Sequence, residues 1–135
     1  MDVKTLLFDL GNVVIYLDEE SSYHEFAKLG QFSYQTLKEK VRGERFFNDF
    51  ETGRITAEEF RSEIRRLLSN QDLTDQEIDT AWNKMLLKID PAIIPANREL
   101  SKMKNVIVLS ITNIIHEIAF HKMLREISEF THLNQ

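Results

Sequence analysis

The segment Lys4–Ile15 reads Lys-Thr-Leu-Leu-Phe-Asp-Leu-Gly-Asn-Val-Val-Ile, and it decides the fold. A short apolar run ends at the acidic residue Asp9 and is followed by a Gly-Asn turn. This order is typical of a buried parallel strand that presents a carboxylate at its C-terminal edge. Open α/β sheets bind their ligands at that edge. The segment therefore predicts a ligand site at Asp9 or, as the alternative, a buried strand followed by an ordinary turn.

A second apolar strand is predicted at Val106–Leu109, and the chain then continues as Ser110-Ile111-Thr112-Asn113 into a helix over residues 113–129. If the two strands are neighbours in a parallel sheet, Asp9 and Ser110 lie side by side. A carboxylate there can attack phosphorus or hold a divalent cation. A hydroxyl and the free N–H groups of a helix start can bind phosphate oxygens. The alternative is that residues 110–113 only cap the helix.

Between these strands, residues 18–88 show helical patterns and no strand signal. Two helices begin with capping boxes, Thr56-x-x-Glu59 and Thr74-x-x-Glu77, and a further helix begins at Pro91 or Pro95 and continues to Met103. The fold class is therefore α/β, a βαβ-type frame interrupted by helices. We expect residues 1–17 and 89–135 to form the α/β core and residues 18–88 to form an inserted all-helical cap.

Composition narrows the classes of protein that remain. At 135 residues the chain is long enough for one compact domain or a small domain with an insertion. It contains no run long enough for a transmembrane helix and no signal-peptide pattern, so we expect a cytoplasmic protein with no membrane partner. The chain has no cysteine, which excludes disulfides and thiolate chemistry, and its net charge of -5 argues against a nucleic-acid partner.

Three segments together resemble a known family. Phe8–Val14 resembles motif I of the haloacid dehalogenase (HAD) superfamily in its Asp-Leu-Gly-Asn-Val variant, and Val106–Asn113 resembles motif II. Phe50–Thr56, with Glu59-Phe60 after it, resembles the cap of the sugar-phosphate phosphatase branch, which includes bacterial glucose-1-phosphate phosphatases. The resemblance implies a partial Rossmann-like HAD core with an inserted helical cap, and a Mg²⁺-dependent phosphatase that acts on small phosphorylated metabolites.

The resemblance also implies residue roles. Asp9 would be the nucleophile that becomes an aspartyl-phosphate and would also bind Mg²⁺, with the Gly11 carbonyl as a second metal ligand. Ser110 would be the second catalytic residue and would donate a hydrogen bond to the transferring phosphoryl group. The other phosphate-binding residues would be Leu10, Gly11, Ile111 and Asn113. A cation and fixed donors are needed because the carboxylate and the phosphate repel each other.

The sequence departs from the family pattern at several points. Gly11 occupies the position of a second Asp that serves many members as general acid and base, and Ile111 replaces a common Asn. The family's motif III Lys and motif IV acidic pair lie downstream of motif II, beyond Gln135. We therefore keep an alternative to the phosphatase: a catalytically incomplete, truncated fragment or paralogue with a structural or partner-binding role, whose incomplete core self-associates. An unrelated α/β binding module is a third hypothesis.

The remaining candidate residues favour structural interpretations. His116 and His121 are five residues apart, so they do not share a helix face well and indicate surface or packing positions rather than a metal site. Trp82 and the cluster of Phe46, Phe47 and Phe50 indicate cap core rather than a ligand surface. His24 belongs to the first cap helix, near where the family's substrate enters, and is interpreted as exposed or packed.

Overall fold

The computed structural model describes residues 3–9, 11–12, 14–109 and 112–133. The elements in chain order are β1 (Thr5–Asp9), β2 (Ile15–Leu17), α1 (Glu19–Gly30), α2 (Tyr34–Val41), α3 (Phe46–Glu51), α4 (Ala57–Leu67), α5 (Asp75–Asn83), β3 (Leu86–Ile89), α6 (Ile93–Met103), β4 (Asn105–Leu109) and α7 (Ile114–Leu133). They belong to two compact units. The sheet unit comprises residues 1–17, 86–110 and 118–135, and the helical unit comprises residues 18–85 and 111–117.

The sheet unit contains two small sheets. β1 and β4 pair in parallel, with a register that runs from Thr5 opposite Asn105 to Asp9 opposite Leu109. β2 and β3 pair antiparallel, with an irregularity between Tyr16 and Leu17. The mixed α/β class predicted from the sequence is confirmed. The predicted neighbourhood of the first strand and the strand before Ser110 is confirmed as well.

One strand was missed. The sequence analysis expected no strand between residues 18 and 88, but β3 begins at Leu86. Its four residues are too few to show the alternation of apolar and polar residues that is typical of a strand. The apolar residues Trp82 and Met85 of the preceding helical pattern are also followed directly by Leu86, so no change of pattern marks the start of β3. β3 forms because β2 offers it a partner: Ile15 lies opposite Ile89, and both are buried.

The apolar core of the sheet unit forms around this pair of strands. Val14, Ile15 and Ile89 are buried, and α6 and α7 contribute partly buried side chains that pack against them: Ile93, Phe120, Met123, Leu124 and Ile127. Burial of apolar area is the main contribution to the stability of such a cluster. α7 thus supplies the sheet unit with most of its helical packing surface.

The helical unit is organised around aromatic side chains. Phe60 is 0% exposed, and its ring lies 4.3 Å from that of Phe50 and 5.1 Å from that of Trp82, measured between centroids. Further buried residues are Phe26, Leu37, Phe46, Phe47, Ile64, Leu67, Ile78 and Ala81. The prediction that Trp82 and the Phe46–Phe50 cluster are core residues is confirmed.

Both predicted capping boxes are present. The Thr56 hydroxyl accepts the Glu59 N–H at 3.1 Å and the Glu59 carboxylate accepts the Thr56 N–H at 2.7 Å. Thr74 and Glu77 repeat the arrangement at the start of α5. These bonds satisfy donors that a helix start otherwise leaves unpaired. Among the described residues, no helix has both the length and the apolar character needed to cross a membrane.

Candidate active site

Asp9 is the last residue of β1, and it is exposed. Its register partner is Leu109, the last residue of the parallel strand β4. Parallel neighbours present their carboxyl ends at one edge of the sheet, so Asp9 lies at the edge where the chain leaves β4 toward Ser110. Leu10, Ser110 and Ile111 lie outside the described residues. The roles assigned to them stay predictions.

The turn after Asp9 is shaped by Asn12. Its φ of 55° lies in the left-handed region, which asparagine adopts more readily than most residues. The Asn12 side-chain oxygen accepts the Leu17 N–H at 3.0 Å, and the Asn12 N–H donates to the Ile15 carbonyl at 2.7 Å. Gly11 forms an isolated bridge with Ile15. Local hydrogen bonds therefore fix the backbone of the segment that contains the Gly11 carbonyl.

The donor set at this edge suits a magnesium ion. A carboxylate from Asp9 and a backbone carbonyl from Gly11 are both hard oxygen ligands, and Mg²⁺ is commonly held by one or two carboxylates together with waters and substrate phosphate. Within the described ranges, no group of three or more His, Cys, Asp or Glu side chains could hold a metal ion. Asp9 and the Gly11 carbonyl thus offer donor types that Mg²⁺ accepts, and their assignment as metal ligands stays a prediction.

Asn113 is buried, at 5% exposed, and belongs to the helical unit. Its side-chain oxygen accepts the His116 N–H at 3.0 Å, which caps the start of α7. Its amide nitrogen lies 3.1 Å from His116 Nδ1. These contacts agree with the alternative in which Asn113 caps the helix. The assignment of Asn113 to phosphate binding stays a prediction.

His116 is the residue whose importance the sequence analysis missed. It was interpreted as a surface or packing residue, and it is buried, at 7% exposed. Its ring stacks on the indole of Trp82, with centroids 4.9 Å apart and planes inclined by 10°. Burial lowers the pKa of His116 from 6.5 to about 4, against the opposing effect of the hydrogen bond to the Trp82 carbonyl. The spacing Asn-x-x-His at a helix start was the available signal, because it joins an N-cap residue to the third residue of the helix.

A second group of polar residues lies on α1 and next to it in the helical unit. Burial raises the pKa of Glu51, and the nearby Glu19 carboxylate raises it further. Burial likewise raises the pKa of Tyr23, with added effects from both carboxylates. The exposed His24 ring stacks on Tyr34 at 4.0 Å between centroids. His24 thus has a packing partner, and its predicted position near a substrate entrance stays a prediction.

Comparison with known proteins shows which family the chain resembles. The chain is 30% identical over 111 residues to D-ribitol-5-phosphate phosphatase of Bacteroides thetaiotaomicron, an alignment that covers 82% of this chain and 53% of that protein. A HAD family enzyme from the same species, solved in complex with magnesium and inorganic phosphate, is 37% identical with a TM-score of 0.75, covering 85% of this chain and 56% of that one. The chain is therefore similar to proteins of the HAD family over more than four fifths of its own length. A predicted HAD-like family hydrolase from Porphyromonas gingivalis is also similar, at 30% identity and a TM-score of 0.70, over 84% of this chain and 53% of that chain. No family model matches the chain.

These likenesses support, at the level of the superfamily, the resemblance stated from Asp9 and its neighbours. The chain spans about half the length of the HAD relatives that it matches. The assignment to the glucose-1-phosphate phosphatase branch is finer than these likenesses support, because the name of the curated relative refers to a sugar-alcohol phosphate and not to a glucose phosphate.

Proposed function

We propose that the chain carries the nucleophile-bearing part of a Mg²⁺-dependent phosphatase for small phosphorylated metabolites, with sugar or sugar-alcohol phosphates as the substrate class. The register of Asp9 with Leu109 is the observation that carries this proposal. It supports a site in which a carboxylate and the residues after β4 act on one ligand. The D-ribitol-5-phosphate phosphatase supports the substrate class, and the solved relative with magnesium and phosphate supports the cofactor.

In the proposed reaction, an Asp9 carboxylate oxygen attacks phosphorus and the bond from phosphorus to the substrate oxygen breaks. The leaving oxygen takes up a proton, and water then hydrolyses the aspartyl-phosphate to release inorganic phosphate and regenerate the carboxylate. Position 11 cannot supply the proton, because glycine has no side chain. Another group must therefore donate the proton to the leaving oxygen in the first step and accept a proton from the attacking water in the second.

The other proposed residues stabilise charge. Ser110 would donate a hydrogen bond to the phosphoryl oxygens, together with the N–H groups of Leu10 and Ile111. A bound Mg²⁺, held by Asp9 and the Gly11 carbonyl, would offset the negative charge shared by the carboxylate and the phosphoryl group. The predicted cap, residues 18–88, would exclude water and select the substrate.

Hydrolysis of an aryl phosphate with Mg²⁺ tests the proposal. We expect Asp9→Asn to abolish the rate of the unsubstituted protein, and the control Asp72→Asn, at an exposed carboxylate of the helical unit, to leave it unchanged. Beryllium fluoride with Mg²⁺, which mimics a phosphoryl group bonded to a carboxylate, gives a readout without turnover. We expect it to raise the melting temperature of the unsubstituted protein and not that of Asp9→Asn. Equal rates, or equal thermal shifts, for these two proteins would overturn the Asp9 mechanism.

A specific observation favours a second candidate function, a structural role through self-association. Leu7 and Ile107 are register partners on β1 and β4, and they are 62% and 44% exposed. Parallel sheets are normally covered on both faces, so an apolar pair of this kind favours contact with a second copy of the chain. Sedimentation velocity tests this: we expect Leu7→Lys to reduce a dimer fraction that Thr80→Lys, at an exposed site of α5 in the helical unit, retains. A monomer at all concentrations excludes the second candidate.

A further inference from the structure

We propose that His116 is a positioning residue that holds the start of α7 to the end of α5, and that Asn113 can cap α7 only while this imidazole is neutral with its proton on Nε2. The residues directly before this hydrogen-bonded group are Ser110, Ile111 and Thr112. The inference concerns the anchoring itself. Its bearing on phosphate binding rests on the proposed function, because Ser110 is the proposed phosphoryl ligand.

The hydrogen bonds of Asn113 select this tautomer. Its side-chain oxygen is occupied by the His116 N–H at 3.0 Å, so the atom that faces the imidazole Nδ1 at 3.1 Å is the amide nitrogen, which can only donate. Nδ1 must therefore carry a lone pair. On the other side of the ring, Nε2 lies 3.3 Å from the Trp82 carbonyl, which can only accept. Both neighbours are satisfied by a ring protonated on Nε2 and by no other neutral form.

The Trp82 carbonyl is itself part of a buried network. It also accepts the Ser22 hydroxyl at 2.7 Å, and the Ser22 oxygen accepts the Met85 N–H at 3.1 Å. Ser22 is 0% exposed. The network therefore joins three segments of the helical unit, namely α1, the end of α5 and the first turn of α7. A buried polar network of this kind is stable only while each member has its partner.

A second proton on His116 would break the arrangement. An N–H at Nδ1 would point at the N–H of the Asn113 amide, two donors facing each other. Rotating the amide by 180° would relieve that contact, but it would turn the amide nitrogen toward the His116 N–H and remove the helix cap. Protonation of the ring and capping of α7 by Asn113 are thus mutually exclusive, so the cap is lost in acid while the Nε2–H bond to the Trp82 carbonyl remains.

Two opposing effects act on the pKa of His116. Burial lowers it and is the larger effect, and the hydrogen bond to the Trp82 carbonyl raises it. The charged residues closest along the chain, Lys84 after α5 and Glu117 in α7, are exposed. The proton equilibrium therefore reports on the burial and the hydrogen bonds of this ring.

The fluorescence of the single tryptophan tests the proposal without any need for turnover. An imidazolium stacked on Trp82 quenches the indole, so we expect the emission of the full chain to fall in acid with a midpoint near pH 4. His116→Gln should remove this transition, and His121→Gln, on the same helix, should retain it. The His116 amide should exchange with solvent faster below the midpoint, as followed by NMR.

Asn113→Asp separates the proposed geometry from simple burial. A carboxylate still caps α7, but it presents an acceptor to Nδ1 and so favours the imidazolium. We expect the midpoint to rise by about 1 pH unit or more. An unchanged midpoint in Asn113→Asp, or a persisting transition in His116→Gln, overturns the proposal. Because none of these measurements involves catalysis, their failure is distinguishable from a loss of the proposed phosphatase activity, which Asp9→Asn tests.

Discussion

Acid should destabilise the folded chain through His116, and the size of the effect follows from its pKa. The folded-state value of about 4 lies below the 6.5 of an unfolded chain, so the unfolded state binds more protons between these two values. Stability is therefore fully present above pH 6.5 and is lost as the pH falls toward 4. Linkage gives a loss of about 2 kcal/mol between pH 7 and pH 5 and about 3 kcal/mol by pH 4.

Urea unfolding at a series of pH values, followed by far-UV circular dichroism, measures this loss. Carboxylates also titrate in acid, and the pKa of Glu25, lowered mainly by its hydrogen bond from Lys28, gives one such contribution. The quantity to compare is hence the free energy of unfolding of the unsubstituted protein minus that of His116→Gln. The carboxylates are the same in both proteins, so their contribution cancels. We expect that difference to shrink by about 3 kcal/mol from pH 7 to pH 4. A difference that stays constant over this range would refute the reasoning.

Two further predictions concern the helical unit. Phe60→Ala should lower the free energy of unfolding by about 3–5 kcal/mol, because Phe60 is fully buried among aromatic rings that cannot collapse into the space; a loss below about 1 kcal/mol in urea unfolding would contradict the aromatic core. Thr56→Ala should cost about 1 kcal/mol by removing the cap of α4. Thr80→Ala, at an exposed site within α5, is the matched control, and equal effects of the two substitutions would argue against the capping box.

Local chemistry made part of the fold predictable. Thr56 and Thr74 could be recognised as helix starts because a capping box uses residues only three apart, and both are present. The strand ending at Asp9 was similarly recognisable from its apolar run. The pairing of β1 with β4 could be stated only as a condition. Residues about a hundred apart in the chain meet there, and the sequence pattern of a strand does not show which other strand it pairs with.

Features that depend on tertiary partners could not be predicted. β3 forms because β2 lies beside it, and Leu86–Ile89 alone is too short to show the alternating pattern of a strand. His116 was even less accessible. Its ring stacks on Trp82, which lies 34 residues away in the chain, and burial of the ring lowers its pKa. Sequence spacing located Asn113 as a capping residue but did not show that its amide also faces an imidazole.

The division of the chain into units has a consequence for any attempt to study the helical unit alone. That unit includes residues 111–117 as well as 18–85, so its own stretch of sequence is discontinuous. A peptide of residues 18–85 would contain every helix from α1 to α5 but would leave one face of the Trp82 indole without its stacked ring and the Trp82 carbonyl with one donor fewer. Joining residues 111–117 through a short linker would restore both. The helical unit is therefore defined by contacts between residues that are far apart in the sequence, and no single continuous segment corresponds to it.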